Sequence, residues 1–137
     1  MKTKVFLLLF FSLVVLVLGI RWIHLSTLSE SSTTAMSYLQ DEGIFVMYHE
    51  GEYGPYTITK KNVNEKPYLN YLSVQQHDQE FYMDRELHHE FFYVSNHPLS
   101  DVLLGRILVT VMMSEGEVVG AFSVKKGNVY SLLGEEK

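Results

Sequence analysis

The segment DRELHHEFFY, residues 84–93, contains the side chains of this sequence best suited to chemistry. If the segment is a strand, successive side chains point to opposite faces, so His88 and His89 cannot bind the same ion. Glu86, His88 and Glu90 would then lie on one face, and donors on alternate strand residues can ligate one metal ion. These three residues are the candidate metal ligands of the chain.

A helix explains the same segment in a different way. Met83, Leu87, Phe91 and Val94 would line its buried side, and Glu86 would have Glu90 and His89 as neighbours on the helix surface. In either conformation one face is apolar and packs, while the other is charged and meets water. We therefore interpret the charged face as solvated, and we predict no metal and no cofactor. The choice between helix and strand stays open.

Histidines close to carboxylates also suggest a pH sensor. His77, His88, His89 and His97 lie among six acids, and their charge would change at about pH 6 to 7. A sensor needs an element with two conformations, which the sequence does not reveal. We interpret these residues as ordinary surface histidines. The acids are Asp78, Glu80, Asp84, Glu86, Glu90 and Asp101.

No catalytic residue is predicted. The chain has no G-x-S-x-G, H-E-x-x-H or phosphate-binding loop, and it has no cysteine. Ser95, His97 and Asp101 are close in sequence, but a fold brings the members of a catalytic triad together from distant positions. A turn at Asn96-His97-Pro98 followed by a cap explains them better. We expect the nine tyrosines and eight phenylalanines to form core and cross-strand pairs, unless the sheet presents an exposed aromatic patch.

The charge of the chain argues against nucleic acid as a partner. Lys2, Lys4 and Arg21 account for three of the eleven Lys and Arg residues, so eight remain beyond Arg21 against all sixteen acids, a balance of −8. Such a surface repels phosphate backbones, and no basic patch with interleaved aromatic residues is present. The length of 137 residues allows one modest domain.

The first residues form an apolar segment that predicts a membrane anchor. Lys2 and Lys4 precede VFLLLFFSLVVLVLGI, and extension to Ile23 gives a helix of about 28 Å, close to the thickness of a hydrocarbon core. Arg21 and Trp22 suit the far interface. The two lysines favour a cytoplasmic N-terminus, which places the remaining chain outside. A cleaved signal peptide is the alternative, and it also places the domain outside.

The elements that position these residues follow from periodicity and turn residues. We predict a transmembrane signal-anchor over 1–25, a juxtamembrane spacer over 26–34 and an extracytoplasmic α+β domain over 35–137. A short helix over about 33–42 ends near Gly43 and packs on an antiparallel β-meander of five to seven strands. The predicted strands are IFVMYH, YTITKK, YLNYLSV, RILVTVMM, EVVGAFSV and VYSLL, with EGEYGP and NVNEKP as breaks between the early ones.

A membrane-spanning start, a short helix ending in Asp41-Glu42-Gly43 and the closing segments GEVVGAFSV and VYSLLG resemble small membrane-anchored envelope proteins of unknown function from Gram-positive bacteria. The resemblance implies the architecture and carries no site residues. It agrees with a single-pass, membrane-tethered, non-enzymatic interaction domain whose partners are the membrane and another envelope protein.

Two alternatives to that function stay open. One is a small ligand- or metal-binding module that uses Glu86, His88 and Glu90 with His49 or His97. The other is a secreted soluble protein, released when the N-terminal segment is cleaved.

Overall fold

Two helices open the chain and are joined by a short turn. A computed structural model describes residues 2–101 and 105–134. Helix α1 covers Lys2–Ser26 and helix α2 covers Glu30–Asp41. Ser29 caps α2, because its hydroxyl accepts a hydrogen bond from the backbone N–H of Ser32 at 3.1 Å. Helix α2 therefore begins earlier than the predicted residue 33, and the stretch between the helices is shorter than the predicted spacer over 26–34.

Helix α1 is apolar on all sides and exposed along its length. Within the part of the chain that the structure describes, Thr3–Ser26 is the helical segment long and apolar enough to cross a membrane. A signal sequence at this position would share its length and composition. The residues of α1 from Thr3 to Ile20 are exposed, and Leu25, near its end, packs against the core of the domain.

Five antiparallel strands form one sheet in the order β1-β2-β3-β4-β5, so each strand pairs with the next one along the chain. This confirms the predicted α+β fold with a helix on a β-meander. The two tight turns each place two residues at positive φ, Glu115-Gly116 and Lys126-Gly127, which is the hairpin geometry compatible with strand twist. The strands are β1 (Val46–Thr57), β2 (Glu86–Val94), β3 (Ile107–Ser114), β4 (Glu117–Lys125) and β5 (Asn128–Ser131).

Both faces of the sheet are covered. On one face, Ala35 and Leu39 of α2 pack on Phe92 and Val109. On the other face lies the connection between β1 and β2, which contains helices α3 (Tyr68–Ser73) and α4 (Gln79–Tyr82). Four buried residues of this connection, Ile58, Val63, Leu72 and Tyr82, pack on the sheet residues Leu87, Met112 and Phe122. Together these seven residues form the second core cluster. Strand β3 is consequently buried on both sides, which accounts for its nearly unbroken apolar sequence.

Two predictions for the first half of the domain are wrong. YLNYLSV was predicted as a strand, but Tyr68–Ser73 is helical, and its register places Tyr71 and Leu72 towards the sheet. EGEYGP was predicted as a turn that separates IFVMYH from YTITKK, but it lies inside the twelve-residue strand β1. An edge strand tolerates such residues, because bulges absorb them, and the β1–β2 register shifts at three places.

Gly54 permits the closest approach between β1 and β2. Its φ is +133°, and a Cβ atom at this position would lie 2.8 Å from the Cβ of His88 and 2.9 Å from its Cα. Any side chain here would force the two strands apart. The glycine that indicates a turn in the sequence therefore allows the strand to continue.

Helix α1 is attached to the edge of the sheet by side-chain hydrogen bonds. Arg21 donates from Nη2 to the carbonyl of Val46 at 2.6 Å and from Nε to the carbonyl of Met47 at 3.2 Å. One turn further, His24 Nε2 donates to the carbonyl of His49 at 3.1 Å. The start of β1 therefore lies beside the last turns of α1. We call this the near end of the sheet, and Tyr53–Thr57 with the paired Leu87 the far end.

Candidate functional site

Strand β2 carries polar side chains into both faces of the sheet. Most of the segment 84–93 lies in β2, Glu86–Val94, so His88 and His89 point to opposite faces, as the strand interpretation predicts. His88 and Glu90 face α2, whereas His89 faces α3. The result is two separate groups of functional side chains, one on each side of the sheet.

The first group is a carboxylate cluster around Glu90, which is completely buried. Glu90 Oε2 accepts hydrogen bonds from Ser32 Oγ at 2.9 Å and from His49 Nε2 at 2.7 Å. His88 Nε2 lies 3.8 Å from Glu90 Oε1 and 2.7 Å from Ser31 Oγ. The cluster joins α2, β1 and β2. A buried carboxylate is stable only with such partners.

The interpretation of this strand face as solvated is wrong at Glu90. Its neighbour Glu86 is exposed, as predicted, but Glu90 lies under the first turn of α2. The physical reason is that Ser31 and Ser32 come from the predicted spacer, which is helical from Glu30 onwards and covers this part of the sheet. Nothing in residues 84–93 indicates that α2 covers Glu90.

The geometry of the cluster differs from that of a catalytic triad. Ser31 Oγ and Glu90 Oε1 both approach His88 through the same nitrogen, Nε2. A relay needs the hydroxyl and the carboxylate on different nitrogens of the ring, so that one orients the imidazole while the other exchanges a proton with it. Glu90 Oε1 also lacks a hydrogen-bond partner among the described residues. The cluster therefore has the form of a structural network.

The predicted metal ligands are only partly brought together. Glu90, His88 and His49 converge, but Glu86 is exposed at the start of β2, and His97 lies elsewhere, bonded to the residues that follow β5. Among residues 2–101 and 105–134, no group of three or more His, Asp or Glu side chains has an arrangement that could hold a metal ion.

His97 holds a loop in place. Its Nδ1 accepts a hydrogen bond from the backbone N–H of Leu99 at 3.1 Å, and its Nε2 contacts the carbonyl of Leu132 and the hydroxyl of Ser123. Burial lowers the pKa of His97, so the ring is neutral in this position. The arrangement supports the turn that the sequence indicates at Asn96-His97-Pro98.

The other two members of the sequence-adjacent Ser-His-Asp set lie apart from this ring. Ser95 donates its backbone N–H to the carbonyl of Phe45, and Asp101 pairs with Lys125 at 2.6 Å. These contacts fix the same loop to β1 and β4.

The second group lines a tyrosine pocket at the far end of the sheet. The pocket has a volume of about 480 Å³ and opens between the end of β1, strand β2 and helix α3. Tyr53 is 59% exposed at its rim, and His89 forms its buried floor. Its lining residues are Glu52, Tyr53, Tyr56, Pro67, Tyr68, Tyr71, His89 and Phe91. The rings of Tyr53 and Tyr56 contact His89 of the neighbouring strand, as the predicted cross-strand pairs do, and they also line this pocket.

The floor of the tyrosine pocket is uncharged at neutral pH. Burial lowers the pKa of His89 to about 4, with a smaller contribution from His88. Its Nε2 is hydrogen-bonded to the hydroxyl of Tyr56, whose pKa burial raises. Tyr71 meets the His89 ring edge-on, with the ring centroids 5.2 Å apart. The pocket thus offers aromatic rings and neutral hydroxyls, with the carboxylate of Glu52 at its edge.

Acidification will destabilise the domain through His89. The unfolded state binds a proton below about pH 6.5 while the folded state resists one until about pH 4, so stability falls by about 3 kcal/mol between these values. Burial also lowers the pKa of His97, so its protonation at acidic pH destabilises the domain as well. Urea unfolding of the full chain in detergent micelles at pH 7.5 and 4.5 measures the loss. We expect this loss of stability at pH 4.5 to be smaller in His89→Gln and to be unchanged in the exposed control His77→Gln. An equal loss in His89→Gln and the unmodified chain would contradict this.

Removal of the Glu90 carboxylate will be costly. In Glu90→Ala, His49 and Ser32 lose their shared acceptor in a buried place, and we expect a loss of about 3 kcal/mol in the free energy of unfolding. Glu86→Ala, on the same strand and face but exposed, should change it by less than about 0.5 kcal/mol. Equal unfolding midpoints for the two variants would show that the cluster does not stabilise the fold.

Comparison with known proteins assigns this chain to no family. No protein-family model matches it, and no curated protein and no solved structure matches it either. The similarity to small Gram-positive envelope proteins therefore stays a prediction from the sequence. The function has to be inferred from the helices, the sheet, the carboxylate cluster and the tyrosine pocket themselves.

Proposed function

We propose that this chain is a single-pass, membrane-tethered binding domain on the outer side of the cytoplasmic membrane, and that it binds another envelope protein without catalysing a reaction. The observation that carries the proposal is helix α1, whose large apolar side chains are exposed from Val5 to Ile23. Soluble proteins rarely expose an apolar surface of this size, and a lipid bilayer would cover it.

The orientation of the domain is supported by charge. Lys2 and Lys4 precede the apolar residues of α1, and positive residues remain on the cytoplasmic side during insertion. In this orientation, the hydrogen bonds of Arg21 and His24 to β1 support a position of the near end of the sheet next to the membrane. The far end, with the tyrosine pocket, points into the space outside.

The tyrosine pocket is the surface that suits a protein partner best. Tyrosine contributes strongly to interfaces, because each ring provides a large contact area and a hydroxyl while losing little conformational entropy. Tyr53 stands at the rim, and the rings of Tyr56 and Tyr68 stack beside it with centroids 5.5 Å apart. Membrane tethering raises the effective concentration at which such a surface meets other membrane proteins.

A small-molecule ligand is the second candidate for this pocket, because its volume of about 480 Å³ lies within the usual range for ligand sites. This alternative predicts that the purified chain gains thermal stability from a compound of metabolite size without any protein partner. The secreted form is a further alternative, distinguished by the mass of the mature chain.

Topology can be tested with single cysteines, because the chain contains none. We expect a membrane-impermeant maleimide to label Lys61→Cys, an exposed residue of the domain, in intact cells. Lys2→Cys should react only after permeabilisation, and the full-length mass should be found in the membrane fraction. If Lys61→Cys is protected in intact cells, the proposed orientation is wrong. A shortened chain in the medium would establish secretion.

The binding surface can be tested by site-specific photo-cross-linking in intact cells. A benzophenone amino acid at Tyr53 should give a discrete cross-linked product, because Tyr53 is exposed at the pocket rim. The same probe at Leu133, which is also exposed but lies outside the pocket lining, serves as the matched control. Identical products at both positions, or none at Tyr53, would count against the pocket as the partner surface.

A further inference from the structure

An apolar groove runs between helix α1 and the first residues of β1. It has a volume of about 410 Å³ and lies at the near end of the sheet, opposite to the tyrosine pocket. Val17 and Ile20 form one wall, and Phe45 and Met47 form the other. Arg21 closes the groove on the side of the domain, where its guanidinium group lies 4.7 Å from the centre of the Phe45 ring.

The lining of the groove changes along the helix axis from apolar to cationic. Val17 precedes Arg21 by four residues, or about 6 Å of helix. His24 follows Arg21 by almost one further turn and also lines the groove. A molecule lying along the groove would therefore meet hydrocarbon side chains first and positive or polar groups afterwards. A phospholipid has the same order of groups along its length, with apolar acyl chains followed by an anionic phosphate.

The depth of the groove follows from helix geometry. Arg21 lies about 26 Å along α1 from Lys4, close to the thickness of a hydrocarbon core. Because Arg21 donates to the carbonyls of Val46 and Met47, the start of β1 must lie at the same depth. Phe45, which is 53% exposed, would then be at the boundary between acyl chains and headgroups. Trp22, on α1 beside Arg21, is 72% exposed and suits the same boundary.

We propose that this groove binds one phospholipid of the membrane that holds α1. An acyl chain lies between Ile20 and Phe45, and the phosphate contacts Arg21. The proposal rests on the membrane-tethered function above. The two hydrogen bonds to the strand use two of the five guanidinium N–H donors. Within the part of the chain that the structure describes, the other donors are available, and guanidinium is the side-chain group best matched to phosphate.

Lipid fits this site better than a protein segment does. The groove is continuous with the exposed apolar surface of α1, so acyl chains surround its entrance wherever α1 spans a bilayer. A second copy of α1 would also be apolar, but its backbone has no anionic group to place against Arg21. Packing of a second copy is therefore an outcome that would overturn the proposal.

The site can be tested with brominated phosphatidylcholine, whose acyl-chain bromines quench tryptophan nearby. In a Trp22→Phe background, single tryptophans replace Phe45 at the groove just before β1, Tyr53 of β1 at the far end, and Leu9 within α1. Phe45 and Tyr53 are matched, since they are 53% and 59% exposed. We expect Leu9→Trp and Phe45→Trp to lose most of their emission in brominated vesicles and Tyr53→Trp to keep it.

The three positions separate the two proposals. Quenching at Leu9 without quenching at Phe45 would overturn the lipid site and leave the membrane tether intact. Absence of quenching at Leu9 would overturn the tether itself. Quenching at all three positions would show that the domain lies flat in the bilayer, against both the groove and the outward-facing pocket.

Specific occupancy needs a second measurement. The full chain, extracted in a mild detergent, should carry one phospholipid in native mass spectrometry. Phe45→Ser should lose most of this bound lipid, and Tyr53→Ser should retain it. Both side chains are more than half exposed, at 53% and 59%, so the two changes are made at comparable surface positions. Equal lipid retention by the two variants would show that the groove does not bind lipid specifically, and would overturn the proposed site.

Discussion

The arrangement of this molecule depends on the hydrogen bonds between Arg21 and the backbone of β1. The strand is an edge of the sheet, and its outer carbonyls need donors that no neighbouring strand supplies. Arg21 supplies two of them, so the side chain that the sequence places among lipid headgroups also attaches the helix to the domain. From this attachment follow the near and far ends of the sheet, the groove beside Phe45 and the remote position of the tyrosine pocket.

A second constraint is the burial of Glu90. Transfer of a carboxylate from water into a core costs several kcal/mol unless hydrogen bonds and a neighbouring cation compensate. Here the compensation comes from three elements at once, with Ser32 from α2, His49 from β1 and His88 from β2 itself. An apolar core would hold these elements together in several registers, whereas the hydrogen bonds to Glu90 Oε2 form in one. We attribute the fixed position of α2 on the sheet to this requirement.

Sequence periodicity and turn residues were sufficient for the α+β fold, the C-terminal meander and the apolar helix, because each is a local pattern. They failed where distant segments decide the outcome. Tyr68–Ser73 has strand-like residues but is helical, because its aromatic side chains pack on the second face of the sheet. The strand alternative for residues 84–93 separates His88 from His89 as the structure does, but the sequence did not decide between strand and helix, and the partners of Glu90 lie 41 and 58 residues away. The tyrosine pocket likewise combines three segments that no local pattern connects.

The short connection between α1 and α2 has a mechanical consequence. Only Thr27, Leu28 and Ser29 separate the two helices, and the end of α1 is also bonded to β1. The domain is therefore attached to α1 both by a short connection and by hydrogen bonds to β1. If α1 spans a bilayer as proposed, a tilt of α1 in a thicker or thinner bilayer would rotate the sheet with it. The tyrosine pocket, at the end of the sheet remote from this attachment, would then move through the largest distance.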